Sequence, residues 1–526
     1  MTNNSNQCNT LWDLLARNVD ATPHRVFLRD RGNDVTFQEV AALAERMAVW
    51  LAERGVQRGD RVGIHLLKST GEIAAMFAAA RLGAVFVNIN AGLSPRQVAH
   101  IASDCGLTAF ISDAPRLKRL HNAAVTANLT PHILQADNRP TVGSATALLS
   151  LQASVCPLAC PALAGDLAAL IYTSGSTGKP KGVMLTHENM CQGAMSVVSY
   201  LKNTNEDRVL SVLPFSFDYG LNQLTTMLLI GGTLILQPVP MATEIIRAIR
   251  SERVTGLALV PTLWVDFIHT LMAGPVPFPK LRYITNSGGK IPAATLKNMA
   301  RLLADVEIVL MYGLTECFRS TWLPPGLFRQ KLGAIGIAIP NAEIFVVDSL
   351  SGLCGPNEVG ELLHRGPLVS QGYWQQPELT AEKIHANRHL SHLISDEPVV
   401  HSGDLVRRDE DGILWYVGRN DCLIKTCGYR VSPDEIEEAL LASGLLAETI
   451  VFGLPDDRLG QSIVAIVRPR SEKEFSRDEL LHWCQKNMPG YQIPQTIKVH
   501  PQPFPRTPNG KIDRKLLQES FMPPTT

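Results

Sequence analysis

The sequence predicts an α/β protein with a large N-terminal domain of layered α/β subdomains, a β-rich subdomain, and a small α+β C-terminal domain. At 526 residues the chain is longer than one hydrophobic core ordinarily serves. Short apolar runs alternate with amphipathic segments over about the first 400 residues, a pattern typical of parallel sheets covered by helices. After about residue 340 the runs become shorter and strand-like. We predict a large domain at 1–420 and a small lid domain at 421–526.

Segment 94–106 is an example of a predicted helix. Ser94 is a suitable N-cap, Pro95 fits the first turn, and Gly106 fits the end. The apolar residues between them recur at helical spacing and share one face. A second capped helix is predicted at 432–444, where Ser432 and Glu435 have the spacing of a capping box.

Several buried strands are predicted, each followed by a loop of small or polar residues. Ligand sites of parallel α/β sheets lie beyond the carboxyl ends of the strands, so these loops are the expected binding region. The strand-forming runs are "LTAFIS", "DRVGIHL", "TLILQPV", "LALVP", "YITNSGG" and "EIVLMYG".

Composition excludes some partners. Lysine plus arginine and aspartate plus glutamate both number 49, so the chain lacks the basic balance of a nucleic-acid-binding protein. The start of the chain is polar and lacks the order of a secretory signal. The most apolar stretch, 224–239, is interrupted by two glycines and predicts a buried helix, a turn and a strand rather than a membrane span. The ten cysteines form no C-x-x-C pair, and we expect free thiols in a cytoplasmic protein.

The stretch "LIYTSGSTGKPKGVML" (170–185) predicts an anion-binding loop. A buried strand at 167–172 leads directly into glycines, hydroxyl residues and two lysines. Glycines let backbone amides converge on one point, and hydroxyls and lysines add donors and positive charge. A solvated linker is the alternative, but linkers rarely follow a buried strand directly. The Walker loop does not fit, because Lys179 follows G-x-x-G and precedes Pro180.

This loop closely resembles the phosphate loop of the adenylate-forming (AMP-forming) ligase superfamily. The superfamily includes acyl-CoA synthetases, luciferases and the adenylation domains of nonribosomal peptide synthesis. Further motifs resembling those of the family occur in order along nearly the whole chain. They are "LPFSFDYG" (213–220), "YITNSGG" (283–289), "MYGLTE" (311–316), "HSGDLVRRDEDG" (401–412), "GRNDCLIKTCGYRVSP" (418–433) and "PRTPNGKIDRK" (505–515).

The resemblance implies the adenylate-forming ligase fold and two half-reactions on ATP and Mg²⁺. A carboxylate attacks the α-phosphate of ATP to give an acyl-adenylate and pyrophosphate, and a thiol then displaces AMP. Tyr312 would stack on adenine, Asp404 would accept bonds from the ribose, and Glu316 would hold Mg²⁺. The full set of implied nucleotide-binding residues is Thr173, Ser174, Gly175, Ser176, Thr177, Gly178, Lys179, Lys181, Asn286, Ser287, Gly288, Tyr312, Asp404 and Arg419.

The resemblance also implies that the small domain is mobile. Lys511 would bridge the substrate carboxylate and the α-phosphate during adenylation, and Thr315 would bond a phosphate oxygen. Asp421 matches the hinge about which the small domain rotates between the two half-reactions. After rotation, Lys425 would face the site and Gly428 would lie beside the tunnel for the thiol.

The acid pocket is implied at the "LPFSFDYG" segment, and two interpretations of Asp218 stay open. It resembles the aspartate that pairs with the substrate's ammonium in amino-acid-activating members, or it caps the helix beginning near Tyr219. Arg319 either binds a second substrate carboxylate or pairs with Asp218. The predicted substrate-binding residues are Phe217, Asp218, Tyr219, Asn222, Met311, Arg319 and Ser320.

These segments together resemble a narrower group that contains proline-activating carrier-protein ligases and exosortase-associated acyl-CoA ligases. We therefore expect a small amino acid such as proline to be activated and passed to the phosphopantetheine of a separate carrier protein. The alternative is an acyl-CoA synthetase that joins another carboxylic acid to CoA. A kinase or ATPase lacks its expected motifs here, and a non-catalytic relative would be expected to have lost Glu316, Asp404 or Lys511.

Overall fold

The computed structural model describes residues 9–123, 132–143, 145–151, 162–174, 180–350, 352–426, 429–456, 459–471, 475–508 and 510–521. Its strands, in chain order, are β1 (Val26–Asp30), β2 (Asn33–Thr36), β3 (Arg61–His65), β4 (Val85–Asn88), β5 (Leu107–Ser112), β6 (Ile133–Gln135), β7 (Thr146–Ala147), β8 (Leu167–Ser174), β9 (Pro180–Thr186), β10 (Arg208–Ser211), β11 (Thr233–Leu236), β12 (Gly256–Leu259), β13 (Tyr283–Asn286), β14 (Glu307–Tyr312), β15 (Thr321–Trp322), β16 (Ile337–Ala338), β17 (Glu343–Asp348), β18 (Gly352–Leu353), β19 (Val359–Arg365), β20 (Ile384–His385), β21 (Val399–Arg408), β22 (Leu414–Arg419), β23 (Ile424–Thr426), β24 (Tyr429–Val431), β25 (Leu446–Asp456), β26 (Gly460–Pro469) and β27 (Thr496–Val499).

The helices cover the sheets of this α/β architecture. In chain order they are α1 (Leu11–Ala21), α2 (Phe37–Glu53), α3 (Thr70–Arg81), α4 (Pro95–Cys105), α5 (Ala114–Asn122), α6 (His187–Leu201), α7 (Asp218–Ile230), α8 (Ala242–Ser251), α9 (Pro261–Ala273), α10 (Ala293–Leu302), α11 (Pro377–Lys383), α12 (Ser391–Ile394), α13 (Pro433–Ala442), α14 (Arg477–Asn487) and α15 (Arg514–Phe521).

Two large sheets form the N-terminal part. One has the order β16-β15-β14-β13-β12-β10-β11-β1-β2 and is parallel from β14 to β1. The other has the order β7-β6-β5-β3-β4-β8-β9 and is parallel except for the pair β8–β9. One hydrophobic core includes buried side chains from both sheets, such as Ile64 and Ile171 on one side and Val209 and Leu234 on the other. The prediction of layered α/β subdomains is therefore confirmed.

The rest of the chain forms two smaller sheets. Strands β17–β22 form the β-rich subdomain that the shorter strand-like runs predicted. Strands β23–β27 form a separate sheet with its own apolar cluster, which is the small C-terminal domain. The boundary at 420/421 remains a prediction, and the first strand of the small sheet begins at Ile424.

Local sequence explains the predicted elements. The hydroxyl of Ser94 caps α4 in a capping box with Gln97, and Gly106 ends the helix at φ 58°. The run 224–239 forms the end of α7, a left-handed Gly231 and the strand β11, as predicted. In the described residues, no helix is both long enough and apolar enough to cross a bilayer.

Two details differ from the predictions. Ser432 occupies the N-cap position of α13, but its side chain makes no capping bond. Its hydroxyl lies beside Gly418 of β22, where an added Cβ would be 2.5 Å away. The capping box with Glu435 is therefore wrong. The expectation of free thiols is also wrong for Cys191, which is disulfide-bonded.

Hydrogen bonds and an ion pair join the small domain to the large domain at the cleft. The Thr262 hydroxyl donates to the Gly510 carbonyl at 2.9 Å, and the Asn90 amide donates to the Pro508 carbonyl at 3.3 Å. Lys290 and Glu438 form an ion pair at 2.5 Å. These contacts place Lys511 in the cleft.

Gly220 in the first turn of α7 has no room for a side chain. An added Cβ would lie 2.2 Å from the Pro214 carbonyl oxygen and 2.7 Å from that of Leu213. We expect Gly220→Ala to lower the free energy of unfolding by about 1–3 kcal/mol, because the clash involves backbone that cannot move away easily. Thermal unfolding measures the effect, and Gly326→Ala, whose Cβ would meet nothing within 4 Å, is the control. Equal midpoints for the two variants would contradict the prediction.

Candidate active site

The loop predicted to bind phosphate joins the antiparallel strands β8 and β9. Thr173 and Lys181 are cross-strand partners at the end of this hairpin. The Lys181 ammonium lies 5.8 Å from the centre of the Tyr373 ring. The predicted ligands Gly175 to Lys179, and the side chain of Ser174, lie outside the described residues.

Glu316 lies beside this hairpin, in a short turn after β14. The Tyr373 hydroxyl donates to its carboxylate at 2.5 Å, and burial raises the pKa of Tyr373, so the donor stays protonated. Carboxylate oxygen suits Mg²⁺, which prefers hard oxygen ligands and retains several waters or phosphate oxygens. Glu316 therefore fits the predicted metal ligand. Sequence analysis missed Tyr373, because no pattern links two residues that are 57 positions apart.

Asp404 and Tyr312 meet on the neighbouring wall of the cleft. Asp404 is buried in β21, and Tyr312 ends β14. The Tyr312 hydroxyl donates to Asp404 Oδ2 at 2.5 Å, and burial together with Asp404 raises the pKa of Tyr312 well above its ordinary value. Arg419 Nη1 lies 3.5 Å from the other oxygen of Asp404. The residues predicted to hold adenine and ribose are thus adjacent.

The acid pocket centres on Asp218. This residue is the first of α7, it is 5% exposed, and its carboxylate accepts a bond from the Thr315 hydroxyl at 3.2 Å. The capping interpretation is not supported, because the N-cap of α7 is Phe217 and no side chain caps the helix. Burial raises the pKa of Asp218, and the positive charges of Arg319 and Lys511 oppose the shift.

Lys511 enters the cleft from the small domain. Its ammonium lies 5.7 Å from the centre of the Phe217 ring, and its Cε would be 3.4 Å from a Cβ built on Gly288. Its side chain still reaches solvent in the cleft. Desolvation lowers the pKa of Lys511, and Asp218 and Asp404 oppose this shift. Gly288 has φ 84°, a backbone conformation that favours glycine.

The other residues predicted to line the acid pocket or the nucleotide site do not all lie in one place. Tyr219, Asn222 and Met311 line a cavity of about 20 Å³. Asn286 ends β13, and its amide donates to the Gly289 carbonyl. Ser320 is fully buried and bonds to Cys317 and His364, so its hydroxyl is engaged away from the cleft.

A lysine that sequence analysis missed holds the loop before Asp218. Lys68 follows β3, is buried, and donates to the Ser211 carbonyl, the Ser211 hydroxyl and the Leu213 carbonyl. Burial lowers the pKa of Lys68 to about 7. The side chain therefore joins the two large sheets at the pocket.

The segments that carry Asp421, Lys425 and Gly428 lie at the start of the small domain. Asp421 lies in a short turn, and Lys425 lies in β23. Their side chains and the whole of Gly428 lie outside the described residues, so their roles stay predictions.

A large α/β domain and a small domain that places a lysine in the cleft between them define the adenylate-forming ligase fold. Family models agree with the architecture. Residues 15–374 match the AMP-binding enzyme family, and residues 435–511 match the AMP-binding enzyme C-terminal domain. The chain belongs to the AMP-binding enzyme family, and the predicted superfamily is confirmed.

Similar proteins include both acyl-CoA ligases and peptide synthetases. The chain is 30% identical to feruloyl-CoA synthase of Amycolatopsis sp, over 96% of this chain and 98% of that protein. It is 28% identical to gramicidin S synthase 2 of Brevibacillus brevis over 98% of this chain, which is 11% of that protein's length. The chain thus spans about a tenth of the gramicidin S synthases that it matches.

Solved structures show the same fold. The o-succinylbenzoate CoA synthetase of Bacillus subtilis, in complex with its acyl-adenylate intermediate, superposes with a TM-score of 0.85 at 26% identity, covering 97% of this chain and 99% of that chain. The same enzyme in complex with ATP and magnesium ion gives a TM-score of 0.84, again at 26% identity, over 96% and 99% of the two chains.

Tyr373→Phe tests the hydroxyl that positions Glu316. Partners of metal-binding carboxylates typically contribute 10- to 100-fold to metal affinity, so we expect the Mg²⁺ concentration for half-maximal activity to rise at least about tenfold. Pyrophosphate exchange at a series of Mg²⁺ concentrations measures it. Tyr172→Phe, which removes an equivalent bond to Asp104, is the matched control and is expected to leave the Mg²⁺ dependence unchanged. An unchanged Mg²⁺ dependence in Tyr373→Phe would contradict the role.

Proposed function

We propose that the chain activates a small amino acid, such as proline, as its acyl-adenylate with release of pyrophosphate, and then transfers it to the phosphopantetheine thiol of a separate carrier protein. The observation that carries the proposal is Asp218. Among the described residues, no lysine or arginine lies within 4.0 Å of this buried carboxylate. A buried carboxylate with one hydroxyl donor is poorly compensated, and a substrate ammonium would supply the missing charge.

The nucleotide would lie across the wall described above. Tyr312 would stack on adenine while Asp404 and Arg419 bind the ribose side. Thr173 and the loop to Lys181 would hold the β- and γ-phosphates, where Glu316 would hold Mg²⁺. The metal would neutralise phosphate charge, which helps the pyrophosphate to leave.

Lys511 would act on the reacting groups during adenylation. Its position near Asp218 and Phe217 suits a bridge between the substrate carboxylate and the α-phosphate. Two anions repel as they approach, so a positioned cation lowers the barrier. The Thr315 hydroxyl would bond a phosphate oxygen in the loaded site. In the second half-reaction the small domain would turn at Asp421 and bring Lys425 and Gly428 to the thiol.

An acyl-CoA synthetase acting on a non-amino acid is the second candidate. The match to feruloyl-CoA synthase over nearly the full length of both chains favours CoA as acceptor. Pyrophosphate exchange with ATP and Mg²⁺, run over the proteinogenic amino acids and over short, medium and aromatic acids, tests both candidates. Exchange driven by an amino acid supports the proposal, and exchange driven only by acids without an amine overturns it in favour of the second candidate.

Asp218→Asn tests the ammonium partner. Removing one member of a buried charge pair costs about 2–5 kcal/mol, so we expect kcat/KM for the amino acid to fall by about 30-fold or more. An acid of the same shape without the amine is the internal control, and its kcat/KM should change much less. Equal losses for both substrates would contradict the ammonium role.

Lys511→Ala tests the division between the half-reactions. We expect loss of adenylate formation with thiol transfer from supplied adenylate retained, because Lys511 belongs to the first step alone. Lys515→Ala, an exposed lysine on α15 that pairs with Glu519, is the matched control. Equal loss of both half-reactions in Lys511→Ala would contradict the assignment.

A further inference from the structure

Arg319 is a buried cation that has no anionic partner in the part of the chain that the structure describes. It is 1% exposed, and its Nη1 donates to the Ser287 hydroxyl at 2.9 Å. Its Nε and Nη2 atoms are buried and have no acceptor among the described residues. No described carboxylate lies within 4.0 Å of the guanidinium, so the pairing with Asp218 that sequence analysis left open is not formed.

A buried guanidinium with one hydrogen bond and no neighbouring carboxylate among the described residues lowers the stability of the protein when no ligand is bound. Arginine does not lose its proton at any ordinary pH, so it cannot become neutral on burial. A buried charge is stabilised when an opposite charge and enough hydrogen bonds satisfy it. One neutral hydroxyl and the Tyr219 ring, at 4.8 Å, leave most of the guanidinium donors unused.

Arg319 lies near Asp218, since its positive charge opposes the rise in the pKa of Asp218. Tyr219, over which the guanidinium lies, follows Asp218 in α7 and lines a small cavity. Asn222 and Gln223 line the same cavity, and among the described residues nothing bonds to the buried Asn222 amide nitrogen or Gln223 carbonyl oxygen. This cavity, of about 20 Å³, has room for about one water molecule.

The backbone before Arg319 has a conformation that is rare for its residue type. Phe318 has φ 57° and ψ −48°, a sparsely populated region that costs about 1–3 kcal/mol for a residue with a side chain. Two glycines leave room for it. A Cβ on Gly193 would lie 2.4 Å from the Phe318 ring, and a Cβ on Gly313 would lie 2.9 Å from the Arg319 Cα. The fold thus retains an unfavourable backbone that turns Arg319 toward Ser287 and Tyr219.

We propose that Arg319 binds a second carboxylate of the substrate, which makes the activated acid a short acidic amino acid. The reacting carboxylate would face Lys511, the ammonium would pair with Asp218, and the second carboxylate would pair with Arg319 Nε and Nη2. The inference rests on the proposed function and replaces proline with aspartate as the first substrate to test. A guanidinium presents two parallel donors that match one carboxylate.

The experiment compares aspartate with asparagine, its neutral isostere, in pyrophosphate exchange. Both enantiomers are used, with alanine, proline and succinate as further substrates. We expect wild-type kcat/KM for aspartate to exceed that for asparagine by about 100-fold, since an unpaired buried guanidinium penalises the neutral substrate. Arg319→Gln should lower kcat/KM for aspartate by about 100-fold and raise that for asparagine, because the unpaired guanidinium that penalises the neutral substrate is removed. Arg319→Lys, which keeps the charge, should retain part of the preference.

A matched control separates specificity from stability. Arg282 lies 4.7 Å over the Tyr283 ring, much as Arg319 lies over Tyr219, but it is paired with Asp207. Arg282→Gln is expected to lower thermal stability and leave the ratio of aspartate to asparagine unchanged. An equal loss for every substrate in Arg319→Gln, together with a lower unfolding midpoint, would overturn the inference.

The remaining outcomes distinguish the inference from the proposed function. Exchange that is strongest with proline or alanine would support an amino-acid ligase and overturn the role of Arg319. Exchange with succinate and with no amino acid would overturn the proposed function and support a carboxylate site at Arg319. Exchange with monocarboxylic acids alone would overturn both.

Discussion

The acid pocket depends on keeping opposite charges apart inside the protein. Asp218 begins α7, and Arg319 lies over the ring of Tyr219, the next residue of that helix. Both side chains are buried, yet more than 4.0 Å separates their charged atoms. In water such groups would be fully hydrated, and in a relaxed core they would pair with each other. In this fold they are not paired, and Nε and Nη2 of Arg319 have no acceptor among the described residues, so the guanidinium keeps hydrogen-bonding capacity for a ligand.

The position of Asp218 depends in turn on contacts between the two large sheets. Lys68 extends from the segment after β3 to the carbonyl groups of Ser211 and Leu213, and its ammonium lies 4.5 Å from the centre of the Phe215 ring. Gly220 lets α7 begin directly against that loop. The loop is thus held from the other sheet and from the helix that follows it.

Much of the fold could be predicted because it follows from local rules. Ser94 and Gly106 bound α4 through capping and a left-handed residue, and the apolar run ending at Tyr172 forms β8. Pairs of residues far apart in sequence could not be predicted. Nothing in the sequence near Glu316 indicates Tyr373. Whether Arg319 pairs with Asp218 depends on distances that only packing determines. Ser432 shows the same limit, because its hydroxyl lies beside Gly418 and does not make the capping bond that the local pattern predicts.

The rare backbone at Phe318 has a consequence for how substrate preference can diverge. Gly193 lies in α6 and Gly313 follows β14, and these two glycines, rather than the side chain at position 319, make room for the turn. The backbone path at residue 319 therefore depends on Gly193 and Gly313 and not on which side chain residue 319 carries. A single codon change at 319 can replace a cation with a neutral or apolar group without a change in the path of the chain. If Arg319 binds a second substrate carboxylate, as we propose, mutant libraries for altered substrates should vary position 319 while holding both glycines constant.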